Sequence, residues 1–423
     1  MTSAKNEKAV PDSVKNLITL EDVSFVTHRA LNHSNVKVKE YRFTPYSDKE
    51  LGYFGSHWQL DIVIQVQGEQ KNLSLFVKCL PLNCQKQIDF VQEEGIFLEE
   101  TIFFKDIYPQ LIESYCGEKW SPVCYLSKKD ILIMENLRDQ NYKMHDIFFD
   151  KTELLKSALT SVARFHSCSI LTEDRFYRES REHNTLGKLY PGSFREKTYT
   201  KSGGAVRWLQ AGINLAVAVA DRLGYNSLRL RQSFDQIFDV VRPSQKYRNV
   251  ICHGDLWTNN LMFDDAKPIP KCILVDFQFI RYGPMVLDIL QLIYLSTTKA
   301  YRKENEKELI HFYYSILNET ILKNKETAET ISPKLHDILD AYEDLRLYGC
   351  FIASLQFPIA LLDPEIVKEN TKDSESYEKF IFGDRTDVTL AYMQKNEFYR
   401  RIIEESIGEL VEIGNKDSLD SPR

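Results

Sequence analysis

Between Lys37 and Leu137 apolar residues fall mostly at every second position, and beyond Asp139 they fall at every third or fourth. A period of two belongs to strands and a period near 3.6 to helices, so this chain must build two different kinds of layer. "KVKEYRFTP", "WQLDIVIQVQ" and "LSLFVKCLP" alternate or run apolar with Val, Ile and Phe, which suits strands, and "QGEQKN" between the last two reads as a hairpin turn. A helical pattern follows in "IDFVQEEGIFLEETIFFKDIYPQLIES", with Gly95 a candidate break, and then "CYLSKKD" and "ILIMENL" form a second hairpin. The reading is an α+β chain. It has an N-terminal helical segment (1–35), a β-rich N-lobe carrying one helix (36–137), an enlarged helical C-lobe (138–415) and a disordered tail (416–423).

In the C-lobe, "KTELLKSALTSVARFHSCSIL" places Leu154, Leu155, Leu159, Val162 and Phe165 on one helical face, and "AVRWLQAGINLAVAVADRLG" reads as a helix ended by Gly224. The stretch Thr185 to Gly204, "TLGKLYPGSFREKTYTKSGG", is polar and Gly-containing and is expected to be a mobile loop. At 423 residues, 43% hydrophobic and 27% charged, the chain has ordinary globular composition and can build its cores without metal or disulfide staples. A formal charge of −7 argues against a broad nucleic-acid surface, which needs clustered Lys and Arg, but leaves room for a phosphate ligand held by one local cation and a metal. Eight scattered cysteines form no CxxC and no zinc-ligand spacing, which suits reduced thiols in a cytoplasmic protein. No run approaches the ~20 apolar residues of a membrane span. No nucleic acid, membrane or obligate protein partner is therefore expected.

The helical pattern of the C-lobe is interrupted by "ICHGDLWTNNLMFDD", Ile251 to Asp265, followed by the strand-like "CILVDFQF". A polar turn between two strands would use the same residue types, since Asp, Asn and Gly bond their own backbone readily. The other features of the chain favour a catalytic loop. Lys78 sits inside an apolar strand, Glu100 lies on the helix that follows, Asp255 and Asn260 are five apart in the loop, and Asp276 ends the next apolar run. Phosphoryl transfer asks a protein mainly for positioning and charge stabilisation, and this ordered set supplies the parts. A Lys oriented by a Glu holds phosphates, an Asp takes the hydroxyl proton, and an Asn and a second Asp offer the oxygen ligands that Mg²⁺ prefers.

"HGDLWTNNLMF" and "VDFQFIRYGPMVLDI" closely resemble the ecdysteroid-kinase-like family, which is related to choline and aminoglycoside kinases, and "FLEETIFFKDIYP" and "IMENL" resemble its helix and hinge. The resemblance implies a protein-kinase-like two-lobed fold and ATP-dependent, Mg²⁺-dependent phosphorylation of a hydroxyl on a small molecule. Carried over by position, Asp255 is the base, Asn260 and Asp276 are metal ligands, and Lys78 and Glu100 are the phosphate-side pair. Backbone groups of Glu135, Asn136 and Leu137 face adenine. His166 and His253 are read as structural and Asp288 as a loop anchor, while Trp257 either packs the loop or lines the acceptor site. The phosphate-covering loop belongs near "ELGYFGSHWQL", where Gly52, Gly55 and Ser56 stand but no G-x-G-x-x-G does.

Two spacings separate a small-molecule kinase from a protein kinase. Roughly 115 positions lie between Leu137 and His253, room for a helical insert, and the short run from Asp276 to a helix near Met285 leaves no activation segment. The expected acceptor is an apolar alcohol such as an ecdysteroid or a xenobiotic, with Thr185–Gly204 as a cover over it. A choline- or ethanolamine-type kinase, or a kinase-like protein that binds a ligand without turnover, is the alternative.

Overall fold

The computed structural model describes residues 12–33, 36–47, 54–82, 85–149, 151–266, 268–325 and 332–417. The chain divides into two compact units, one made of residues 1–108 and 121–143 and the other of residues 109–120 and 144–423. The expected α+β organisation is present, with a sheet-rich first unit and a mainly helical second one. The second unit also takes residues 109–120 from within the expected N-lobe. Of the expected tail, residues 418–423 lie outside the described part, and the helix Glu397–Asp417 runs into its start.

The first unit holds a five-stranded antiparallel sheet in the order β1 (Val36–Pro45), β2 (Ser56–Val66), β3 (Glu69–Cys79), β5 (Ile131–Glu135) and β4 (Cys124–Lys128). Strand alternation decides which residues face which side. Trp58, Leu60, Ile62 and Ile64 on β2 and Leu75, Val77 and Cys79 on β3 share one face and form a core with Val23 and Val26 of the helix Leu20–Leu31. That helix starts on a capping box in which Thr19 and Asp22 bond each other's backbone N–H.

The same parity sends Lys78 to the opposite face, where Glu100 waits on the helix Ile96–Ile102. Gly95, with φ of +63°, is the break that sets this helix apart from Gln85–Glu93. Lys78 Nζ donates to Glu100 Oε2 at 2.5 Å, and the two side chains are 4% and 1% exposed.

In the second unit the 29-residue helix Thr152–Ser180 is buried on all sides over residues 165–173. Its hydroxyls tie two small two-stranded sheets to it. Ser161 donates to the carbonyl of Cys272 at 2.7 Å, and Ser169 accepts the N–H of Ile251 at 3.1 Å. Ile251 lies on β6 (Asn249–Cys252) and Cys272 on β8 (Lys271–Leu274). β7 (Leu261–Asp264) pairs with β8, and β6 pairs with β9 (Arg281–Pro284). Every residue of the helix Val286–Ser296 is buried, which suits a helix packed on all sides, including by Arg346–Ala360. No single helix among the described residues is long and apolar enough to cross a membrane.

A buried ion pair is a poor source of stability, but breaking it by removing one partner is costly. Lys78→Met alone should therefore lower stability by up to about 3–5 kcal/mol, because the buried Glu100 loses its ammonium partner. Lys78→Met combined with Glu100→Leu should regain most of that loss. Urea unfolding of the parent, the single and the double variant checks this.

Candidate active site

Two loops link the two small sheets of the second unit. Residues 253–260 connect β6 to β7, and residues 275–280 connect β8 to β9. The loops are tied together by their backbones. Val275 N–H donates to the carbonyl of Asn260 at 3.0 Å, and the His253 ring Nε2 bonds the carbonyl of Val275 at 3.0 Å. Leu274 N–H donates to the carbonyl of Trp120, whose buried ring packs on Phe165 and Phe277.

Asp288, in the first turn of the helix Val286–Ser296, anchors the first loop from beneath. Its Oδ2 accepts the N–H of His253 at 2.6 Å, and its Oδ1 accepts the N–H of Gly254 at 3.0 Å. His166 Nε2 bonds Asp288 Oδ2 at 3.0 Å, and its Nδ1 bonds the Tyr313 hydroxyl at 2.7 Å. Burial works to raise the Asp288 pKa, but the hydrogen bond and charge of His166, the charge of His253 and the amide of Gly254 outweigh it, leaving the group below its ordinary value. The structure thus places His166, His253 and Asp288 as supports of the loop, as expected.

His166, Cys252 and Asp288 have ligating atoms within 4.8 Å of one another. Their donors are already committed, both ring nitrogens of His166 and both oxygens of Asp288 being hydrogen-bonded, so the trio reads as framework and not as a metal centre.

Above this anchor Asn260 uses its amide twice. Nδ2 donates at 2.8 Å both to the backbone carbonyl and to the Oδ2 of Asp255. That fixes the Asp255 carboxylate and turns the Asn260 Oδ1 the other way. Asp276 adopts a left-handed backbone, φ +71°, uncommon for a residue with a side chain, and accepts from Gln278 Nε2 at 3.2 Å. Asp255 keeps some surface open, yet its surroundings desolvate it strongly. Burial, followed by the nearby charge of Asp276, pushes its carboxyl up to about 7, against hydrogen bonds from the side chains of Asn260 and Trp257 and the charge of Arg281. Trp257 is therefore a partner of the Asp255 carboxylate. Two neighbouring carboxylates and an amide oxygen are hard donors of the kind that fits a divalent cation such as Mg²⁺.

In the first unit, Lys78 and Glu100 form the buried pair described above. Gly55 lies close to that pair, since a Cβ there would stand 3.1 Å from Lys78 Cε, while Gly52 falls outside the described residues. The side chains of residues 135–137 turn inward. Glu135 accepts the N–H of Val123 at 2.9 Å, and Asn136 Nδ2 donates to Ser74 Oγ at 3.0 Å and to Asp139 at 3.1 Å. Leu137 is buried, and its carbonyl accepts the N–H of Tyr142.

Sequence reasoning passed over Arg281, Tyr282 and Glu196. Arg281 is 3% exposed, donates through Nη2 to the carbonyl of Gly254 at 3.1 Å and pairs with Glu196 at 2.9 Å. Tyr282 donates its hydroxyl to Glu173 at 2.8 Å. The one available signal was an Arg inside an otherwise apolar and aromatic run, "FIRYGPMVL".

Asp288→Asn keeps the shape but turns one acceptor oxygen into a donor facing a backbone N–H or His166. At pH 7 it should cost at least about 1–3 kcal/mol. Because the folded pKa of Asp288 is depressed, the anchor is fully present above about pH 4 and is lost as pH falls through the depressed value. The stability gap between variant and parent, measured by urea midpoints, should therefore narrow as pH drops below about 4.

Comparison with known proteins supplies the context for this geometry. The Ecdysteroid kinase-like family matches residues 52–326. An uncharacterized kinase-like protein of Caenorhabditis elegans, D1044.1, is 28% identical over 92 residues, 20% of this chain and 24% of that protein. An uncharacterized oxidoreductase of the same organism, dhs-27, is 25% identical over 154 residues, 33% of this chain and 18% of that protein. The matched part is thus less than a quarter of the length of either relative. Among solved structures, the gentamicin complex of APH(2")-IIa is 12% identical with a TM-score of 0.36, covering 90% of this chain and 97% of that one. The family match spans well over half of the chain and includes Lys78, Glu100, Asp255, Asn260 and Asp276, and the protein belongs to the ecdysteroid kinase-like family.

Proposed function

We propose that the protein transfers the γ-phosphoryl group of ATP to a hydroxyl of a small, largely apolar alcohol, such as an ecdysteroid or a xenobiotic. The observation that carries this reading is the state of Asp255. Its carboxylate is held at 2.8 Å by Asn260 Nδ2, with Asp276 near it. A general base must be held in a fixed position within reach of the proton it takes. In this reading Asp255 takes the proton from the acceptor hydroxyl as the oxygen bonds to the γ-phosphorus and the bond from that phosphorus to the β-γ bridging oxygen breaks, leaving ADP.

Asn260 and Asp276 would hold Mg²⁺, which when bound neutralises charge on the phosphates. Lys78, oriented by Glu100, would hold the α- and β-phosphates, and the backbone of Glu135 to Leu137 would face adenine. Family membership and the aromatic-rich helical unit support an apolar alcohol as the acceptor. A cytoplasmic setting fits cysteines that form no disulfide among the described residues.

ADP release measured with a steroid polyol, choline and a set of xenobiotic alcohols tests the reading. Turnover with the polyol or an apolar alcohol and not with choline is expected. Choline alone as acceptor would move the protein to the choline-type alternative, and no release with any alcohol would leave a ligand-binding protein. Asp276→Ala should lower Mg²⁺-dependent turnover by roughly 100-fold or more, since several kcal/mol of charge stabilisation is removed. Unchanged turnover would take Asp276 out of the site.

A further inference from the structure

The segment between Thr185 and Gly204 reads as a polar loop, yet it is seated on the structure at both ends by two neighbouring residues of β9. At its start, Leu186 is buried and its N–H donates to Glu173 at 2.9 Å, the carboxylate that also accepts the Tyr282 hydroxyl. Gly187 lies so close to Tyr282 that a Cβ would stand 2.5 Å from its ring. Further along, Glu196 Oε1 accepts the N–H groups of Thr198 and Tyr199, each at 2.8 Å, which closes a turn on its own carboxylate. Its Oε2 lies 2.9 Å from Arg281 Nη1, and the guanidinium sits over the ring of buried Tyr199 at 5.4 Å.

Arg281 then reaches the other way. It lies opposite Cys252 in the β6–β9 pair, and its Nη2 donates to the carbonyl of Gly254, the residue just before Asp255. The approach there is close. Gly254 has a φ of +79°, and a Cβ there would stand 2.1 Å from the carbonyl oxygen of Phe279 and 3.0 Å from Arg281 Nε. The guanidinium is thus packed against the peptide that leads into Asp255 and hydrogen-bonded to it.

We infer that Arg281 is a positioning residue that joins the insert turn at Glu196–Tyr199 to the backbone of Gly254, so that order in the insert sets the order of the loop bearing Asp255. The consequence for turnover rests on the function proposed above. Stability alone does not account for the arrangement, because a buried ion pair is on average no more stabilising than apolar residues of the same volume. What Arg281 adds is reach. Its Nη1 stands beside the Glu196 carboxylate as an ion pair while its Nη2 hydrogen-bonds the Gly254 carbonyl, two contacts that the single head of a lysine does not make at once.

Glu196→Gln keeps an oxygen for the two turn amides and removes the charge that holds Arg281. Arg281→Lys keeps the charge and loses the two-way reach. Hydrogen exchange in peptides covering 193–199, 250–262 and 286–296 reads the coupling without any acceptor. In both variants the 250–262 peptide should exchange roughly 3- to 30-fold faster, the range carried by packed networks, while 286–296 is unchanged. In turnover with the best acceptor, kcat should fall by the same order and KM for ATP should hold, with Arg281→Lys the milder change. The inference is overturned if 193–199 loosens while 250–262 exchanges as in the parent, or if kcat and the exchange both match the parent. If the parent phosphorylates no alcohol, the proposed function fails, and the exchange measurement still decides the coupling. Should Glu196→Gln not fold, Arg281→Lys decides it alone.

Discussion

The loop that carries Asp255 has almost no secondary structure of its own, and its shape depends on one buried carboxylate. Asp288 takes two consecutive backbone N–H groups, those of His253 and Gly254, on its two oxygens, and His166 completes the shell. Backbone amides buried without partners would cost roughly 1–3 kcal/mol each, so the carboxylate makes an otherwise unfavourable loop the stable one. Asp288 sits in the first turn of a helix buried on every side, so the loop is fastened to the core of the unit.

From this anchor the remaining geometry follows in order. Fixing His253 and Gly254 places Asp255. The five-residue spacing then lets Asn260 fold back to hold both the carbonyl and the carboxylate of Asp255. The carbonyl of Asn260 in turn accepts from Val275, which brings the second loop and Asp276 into register. Two carboxylates are thereby held near each other in partly desolvated surroundings, a costly arrangement unless a proton or a cation shares it. The raised pKa of Asp255 is the electrostatic sign of that cost.

Much of this was legible in the sequence because it is local. Strand alternation separated Lys78 from the core residues Val77 and Cys79, Gly95 marked a real helix break, and the Asp255–Asn260 spacing matched a loop that closes on itself. What was not legible depends on contacts far apart in the chain. β9 is four residues long and contains Gly and Pro, which hides a strand from any periodicity test. Arg281 and Glu196 are of types that usually lie on the surface, and nothing in either segment shows that they find each other in the interior. Thr185–Gly204 looked mobile for the same reason. Its polarity is real, but Glu196 and Tyr199 spend it on buried partners. The phosphate-covering loop stays an expectation, since residues 48–53 lie outside the described part.

In the proposed function Asp255 is a base and not a turn former, and Asp255→Asn tests this most directly. The amide keeps the shape and the hydrogen bonding of the carboxylate but takes no proton. General-base assistance contributes typically 10²–10⁴ in rate, roughly 3–5 kcal/mol of barrier. Single-turnover phosphoryl transfer by the folded variant should fall by that order, with nucleotide affinity close to that of the parent. Transfer within a few-fold of the parent rate, in a variant that folds and binds ATP, would show that the loop is a polar turn and that the mechanism is wrong.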